Sequence, residues 1–236
     1  MFKSVSQASQ DLFVYKILGK NPNGTFMDLG CQDPIRINNT WALEKFCGWK
    51  GVCIDIEDYS EKFKQERSAT FLQLDLLKDD WFDKFTHKCP FDWTQPIDYL
   101  SFDIDDATLG VLPKFPFNKL KFKLMTVEHD SYVRGEITRL EIARILTSHG
   151  YLPVCTNVSW GGDGWPFEDW WYNPELIEES QIAMFRGDGL DCSVITGAPL
   201  VFKPTIKGAV PPALPFWRPP GDSCVSLSHP SGTKTK

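Results

Sequence analysis

Short apolar runs, several of them closing on a carboxylate, alternate with helical stretches through most of this chain. Strands joined by helical crossovers must form a mainly parallel sheet with helices on both faces, so this alternation constrains the fold more than any other feature. Strands are expected over Thr25–Leu29, ending at Gly30, and over Gly51–Ile56, Thr70–Leu74, Ile97–Ile104, Phe122–Val127, Tyr151–Val158 and Phe167–Tyr172. The last two would pair as a hairpin. Between them, helices are expected over Asn39–Phe46, with Asn38 or Asn39 as cap, over Tyr59–Arg67 and Asp79–Phe85, and near Thr108, stopping before Pro113. The strongest helix signal is Val133–His149. There Ile137, Leu140, Ile142, Ile145 and Leu146 recur at helical spacing, and Gly150 follows as a stop.

With 236 residues, one folded domain is expected over 1–202, followed by a proline-rich tail over 203–236. Seven prolines, from Pro204 to Pro230, keep regular elements from persisting in that tail, which is expected to wrap the domain near Phe216 and Trp217. A hydrophobic fraction of 42% with 14% aromatics is enough for a substantial core. Lys and Arg number 25 against 31 Asp and Glu, a formal net charge of −6. That balance argues against nucleic acid as a partner. The one basic cluster, Lys114, Lys119, Lys121 and Lys123, reads as a solvated face. No apolar run approaches the ~20 residues of a bilayer span. The N-terminus is polar, so no secretory leader is expected. Seven cysteines without a CxxC pair fit a reducing, cytoplasmic setting, with Cys53 as a small buried hydrophobe.

Acidic residues cluster at the strand ends: Asp28, Asp55, Asp75, Asp103 with Asp105, and Glu128. A carboxylate on an otherwise apolar strand is costly to bury without a partner. Ligands of such sheets bind outside the carboxyl ends of the strands, so these acids point to one shared cleft. Gly30 would let backbone approach a ligand closely. Asp55 is placed to accept both hydroxyls of a ribose, and Asp75 to accept from an adenine amine, unless it only caps the turn ahead of Leu76 and Leu77. The first turn reads Gly30-Cys31-Gln32-Asp33-Pro34, with no GxGxxG to cradle a pyrophosphate. An adenosine ligand without phosphates therefore fits better than a dinucleotide.

A second constellation comprises Asp103, Asp105, Glu128, His129 and Asp130. Adjacent strands would bring Asp103 and Glu128 close, and two such carboxylates repel unless a proton or a hard divalent cation lies between them. His129 is a candidate base, since histidine as a residue type changes charge near neutral pH; its other role would be a bond to a loop carbonyl. Trp160, Trp165, Trp170 and Trp171 flank the glycine-rich loop Gly161–Gly164, either to stack on a sugar ring or to pack.

These segments together resemble the FkbM-type S-adenosylmethionine-dependent methyltransferases. The matching pieces, in the family's order, are SQASQDLFV (Ser6–Val14), GTFMDLGCQDP (Gly24–Pro34), NNTWALEKFCGWKGVCID (Asn38–Asp55), QLDLL (Gln73–Leu77), IDYLSFDIDDAT (Ile97–Thr108), TVEHD (Thr126–Asp130), ITRLEIARILTSHGY (Ile137–Tyr151) and PFEDWWYNP (Pro166–Pro174). The resemblance implies a Rossmann-like methyltransferase fold of seven strands, the last hairpin antiparallel. It implies that S-adenosylmethionine lies with its methionine side at Asp28 and Gly30, its ribose at Asp55 and Ile56, and its adenine at Asp75 and Leu76. Gln10 and Asn39 would close over the cofactor, with Asp103 beside it. In some members a divalent metal such as Mg2+ binds at the ends of strands four and five, which here means Asp103 and Glu128. The acceptor would be a hydroxyl of a sugar or related small metabolite, deprotonated by His129 or Asp105.

The chain departs from the family at Pro34, where glycine is usual, and at Asp103–Thr108, which reads DIDDAT rather than DVEGAE. The second departure motivates an alternative, a non-catalytic methyltransferase-like binding module. A nicotinamide-dependent oxidoreductase on a similar sheet is a third. Oligomeric state is not legible in the sequence.

Overall fold

The computed structural model of the protein describes residues 2–159 and 165–188. Trp160, the glycine-rich loop and the proline-rich tail lie outside the described residues, as does the domain boundary expected at 202. Strands β1 (Thr25–Leu29), β2 (Lys50–Asp55), β3 (Thr70–Gln73), β4 (Ile97–Phe102) and β5 (Phe122–Glu128) are all parallel to one another. Strands β6 (Leu152–Ser159) and β7 (Pro166–Tyr172) form the expected antiparallel hairpin, and β7 inserts between β5 and β6. The order is β3-β2-β1-β4-β5-β7-β6, extended by a two-residue strand β8 (Gly187–Asp188). This is the Rossmann-like methyltransferase architecture, with one short strand beyond the seven expected. The switch point lies between β1 and β4, where the chain order reverses.

Alternation along the strands sorts side chains to two faces. On one face, Met27, Leu29, Val52, Ile54, Leu100 and Phe102 pack with Trp81 and Phe85 of α4 (Trp81–Lys88) and with Ile142, Ile145 and Leu146 of α7 (Glu136–Ser148). On the other, Phe26, Cys53, Tyr99 and Leu124 pack with Phe13 and Val14 of α1 (Gln10–Leu18), Leu43 of α2 (Trp41–Cys47) and Phe63 of α3 (Ser60–Glu66). Successive tryptophans on β7 divide the same way: Trp171 joins the first core and Trp170 the second, stacked on Phe13 at 4.4 Å. Both are fully buried, so neither stacks on a sugar. Cys53 is buried as expected.

The strongest expected helix is two. Gly135 adopts a left-handed φ of 77° and separates α6 (Ser131–Arg134) from α7. The apolar spacing also overstates the core face, since Ile137 is 81% exposed. α1 is not foreshadowed by the sequence, because its polar entry and short apolar stretch give little periodic signal. α5 (Thr108–Val111) is a single turn that runs on into a 3-10 turn, Leu112–Lys114, containing Pro113. Three of the four clustered lysines are not simply solvated: Lys123 pairs with buried Asp98 at 2.6 Å, Lys121 with Glu175 at 3.5 Å, and Lys119 lies over the Phe82 ring. No helix among the described residues is long and apolar enough to cross a membrane.

The long loop after β1, residues 30–40, is held by a buried arginine. Arg67, just past α3, donates to Glu44 Oε2 (2.6 Å), the Pro34 carbonyl (2.9 Å), Asn38 Oδ1 (3.0 Å) and Thr40 Oγ1 (3.2 Å). One guanidinium thus fixes a segment that has no regular structure of its own. Replacing Arg67 by alanine leaves Glu44 Oε2 and the Pro34 carbonyl without their donor. The expected loss is about 3–5 kcal/mol of unfolding free energy, read by urea denaturation at pH 7; a loss below ~1 kcal/mol would show that the loop is held otherwise.

Candidate active site

The carboxyl ends of β1, β2 and β4 are drawn together by backbone alone. Gly30 has φ 77°, and its N–H donates to the Ile54 carbonyl at 2.8 Å. Asp103 N–H donates to the Leu29 carbonyl at 3.0 Å. A Cβ on Gly30 would collide with the Asp103 carbonyl oxygen. The glycine expected to admit a ligand therefore first admits a neighbouring strand end.

Around this junction lie two lobes of one cleft. The larger, about 430 Å³, is lined by Asp55, Asp75 and an apolar wall that includes Ile54, Ile56, Leu74, Leu76 and Val111. The smaller, about 300 Å³, is lined by Asp28, Asn39, Glu128 and residues of the 30–40 loop. Gly30, Gln32, Asp103 and Asp105 line both. The acids at the ends of all five parallel strands thus meet at one cleft.

Each acid has a definite setting. Asp55 accepts from the Gln32 and Glu57 backbone N–H groups, both at 2.9 Å, one on each oxygen, which leaves lone pairs free toward the cleft. Asp75 accepts from Leu77 N–H at 2.9 Å, so the expected turn cap is real, and the residue still lines the larger lobe. Asp28 accepts from Thr40 Oγ1 at 2.7 Å, and burial raises its carboxyl above the usual range. Asn39 donates to Ser101 Oγ at 3.0 Å, while its Oδ1 is buried without a partner among the described residues.

Burial, followed by the charge of neighbouring Asp103, pushes the Glu128 carboxyl up to about 11, well above the carboxylate range. Asp103 is also raised, again chiefly by burial. The cluster with metal-binding geometry differs from the pair expected. It is Asp105, Glu128 and Asp130, each offering an oxygen within 4.8 Å of the others. Asp105 (φ 49°) and Asp130 (φ 47°) are both in left-handed backbone, as are Gln32 and the β-branched Ile37 in the wall of the smaller lobe. Such positions are costly for residues with a Cβ and cluster at functional sites.

His129 is not in the cleft. Its ring is fully buried behind β5, with Nδ1 accepting from Ser131 N–H at 3.1 Å and Nε2 3.5 Å from Asp169 Oδ1. Asp169 in turn accepts from Arg139 Nε at 2.8 Å and Asn157 N–H at 2.7 Å. Acceptance at Nδ1 places the proton of a neutral ring on Nε2, facing Asp169. This arrangement fixes the turn that carries Glu128 and Asp130 and offers no base to the cleft. Among the described residues, the bond to a loop carbonyl weighed from the sequence is not present either.

Gln10 also lies away from both lobes. Its side chain accepts from Ala8 N–H at 2.8 Å. Nearby Glu168, a buried β7 acid pushed up to about 8 mainly by burial, accepts from Trp170 Nε1 at 2.6 Å. Glu168 and Asp169 escape the sequence reading. Their signal was a Glu-Asp pair inside an apolar strand, Phe167–Tyr172, the same cue that marks the other strand acids. His87 and His149 are exposed, as expected.

No family model matches the sequence, and no curated relative matches it. Among solved structures, the chain is similar to an O-methyltransferase from Bacillus cereus in complex with SAH, at 11% identity and TM-score 0.47, covering 72% of this chain and 82% of that one. It is also similar to a Thermobifida fusca protein given a provisional methyltransferase description, at 14% identity and TM-score 0.32, covering 61% of this chain and 62% of that one. At these values neither likeness bears on the chemistry.

The buried Glu128 carboxyl makes stability depend on pH. Its folded-state pKa is raised, from an ordinary 4.5 to about 11, so its contribution is fully present below pH ~4.5 and is lost as pH rises. Melting temperature measured in chelator should fall from pH 5 to pH 9 more steeply in the wild type than in Glu128→Gln. Parallel profiles would show that the carboxyl is not held protonated.

Proposed function

We propose that this protein is an S-adenosylmethionine-dependent methyltransferase acting on a hydroxyl oxygen, with a sugar or related small metabolite as acceptor. The observation that carries this reading is the pairing of two unlike lobes at one junction. The larger suits an adenosine: apolar walls for the base, Asp75 for its amine, and Asp55 for the ribose hydroxyls. The smaller is strongly acidic, which suits an ammonium and a sulfonium rather than phosphates. The resemblance of the strand-end motifs to FkbM-type enzymes supports the same assignment.

A dinucleotide fits less well. In nucleotide-binding sheets the pyrophosphate rests on a helix N-terminus directly after the first strand. Here residues 30–40 form a loop before α2 begins at Trp41, and carboxylates occupy the space.

Asp105 lies where the lobes meet, is exposed, and replaces His129 as the group that takes the acceptor proton. Alignment of the acceptor oxygen with the methyl group supplies much of the rate. The oxygen-only set Asp105, Glu128 and Asp130 fits a hard divalent ion such as Mg2+, and the buried, unpartnered Oε2 of Glu128 is consistent with one. Bound there, an ion would lower the pKa of an acceptor hydroxyl. Asp103, expected as a ligand, lines the same lobe beside Glu128 but is not one of these three.

Calorimetry tests the cofactor assignment. The wild type should bind S-adenosylhomocysteine, and Asp55→Ala should weaken binding at least tenfold, since two hydroxyl contacts to a charged acceptor are worth about 1.5–3 kcal/mol each. Unchanged affinity would remove Asp55 from the site. Stabilisation by a nicotinamide dinucleotide alone would overturn the reading. Binding without methyl transfer to any hydroxylated acceptor would favour a binding module.

A further inference from the structure

Two exposed aromatic rings stand beside the carboxylate cluster and belong to neither core. Tyr132 is 45% exposed and Trp165 is 55% exposed, and their ring centroids lie 5.4 Å apart at 52°. The other two described tryptophans near the hairpin, Trp170 and Trp171, are fully buried, so this pair is not the spill-over of a packing cluster. Its backbone is firmly placed. His129 N–H and Asp130 N–H both donate to the Phe167 carbonyl, at 2.7 and 2.9 Å, and Ser131 Oγ donates to the Pro166 carbonyl at 3.2 Å. These bonds tie the start of α6 to the start of β7, and so hold Tyr132 against Trp165. Tyr132 follows Asp130, a member of the carboxylate cluster, by two residues.

We propose that Tyr132 and Trp165 form the acceptor platform, stacking on an uncharged ring whose edge hydroxyls reach the carboxylates of Asp105, Glu128 and Asp130. The proposal rests on the methyltransferase reading and adds to it the residues that select the acceptor. Aromatic faces take the apolar C–H or π face of a ring. Carboxylates accept from hydroxyls. A phosphorylated ring would meet the same acids as repulsion. Two sources share this chemistry: the pyranose ring of a saccharide and an aromatic vicinal diol.

The test is titration calorimetry on the full chain loaded with S-adenosylhomocysteine, using methyl β-glucopyranoside and catechol as probes. At least one should bind, and which one identifies the source. Tyr132→Ala and Trp165→Ala should each weaken that probe about fivefold or more while leaving S-adenosylhomocysteine affinity unchanged; Trp165→Phe should retain most of it. Failure of both probes to bind loaded wild type would overturn the platform, as would full affinity in the alanine variants. Tighter binding of glucose 6-phosphate than of the neutral glucoside would overturn its preference for uncharged rings. If the wild type does not bind S-adenosylhomocysteine at all, the methyltransferase reading fails. Loss of probe binding in Trp165→Ala would then still support the platform by itself.

Discussion

Everything at the cleft depends on the contact between Gly30 and the Asp103 backbone. A side chain at position 30 would collide with the Asp103 carbonyl, and only the left-handed glycine lets β1 and β4 finish side by side. That closeness places Asp28 and Asp103 in one lobe and carries Asp105 to the junction of both. The next strand out then brings Glu128 against Asp103. Local backbone geometry, rather than any attraction among the acids, assembles a group of carboxylates that would otherwise repel.

The cost of that assembly is met in different ways along the sheet. Asp55 and Asp75 satisfy their oxygens with backbone N–H groups of the turns they cap. Asp28 uses Thr40, whose loop is itself pinned by Arg67. The inner group shifts furthest, at Glu128, because there burial and a neighbouring charge act in the same direction. This leaves a gradient across the cleft, from neatly capped acids at the apolar lobe to strained, proton-sharing acids at the acidic one. An adenosyl sulfonium has the matching polarity, neutral at one end and cationic at the other.

The sheet was legible because each strand is a compact apolar run, and the strand-end acids were legible because a charge in such a run is anomalous. What the sequence hid was three-dimensional. His129 shares a turn with Glu128 and Asp130 but points behind the sheet, since alternation along β5 sends neighbours to opposite sides. Its partners, Asp169 and Arg139, lie far away in sequence. Asp130 was already legible as part of the acidic constellation, but its left-handed backbone and its grouping with Asp105 and Glu128 were not. The single helix expected over Val133–His149 failed at Gly135, where apolar spacing continues across a backbone break. Gln10 matched a cofactor-closing segment by sequence, yet its amide oxygen is turned to Ala8 N–H.

The central claim is that the two lobes hold one ligand across the Gly30–Asp103 junction. A crystal structure of the protein with S-adenosylhomocysteine bound tests it most directly. The account predicts the adenine against Ile56 and Leu76, the ribose on Asp55, and the amino group in the lobe of Asp28 and Asp103. A ligand seated elsewhere, or confined to one lobe with Asp55 untouched, would contradict it.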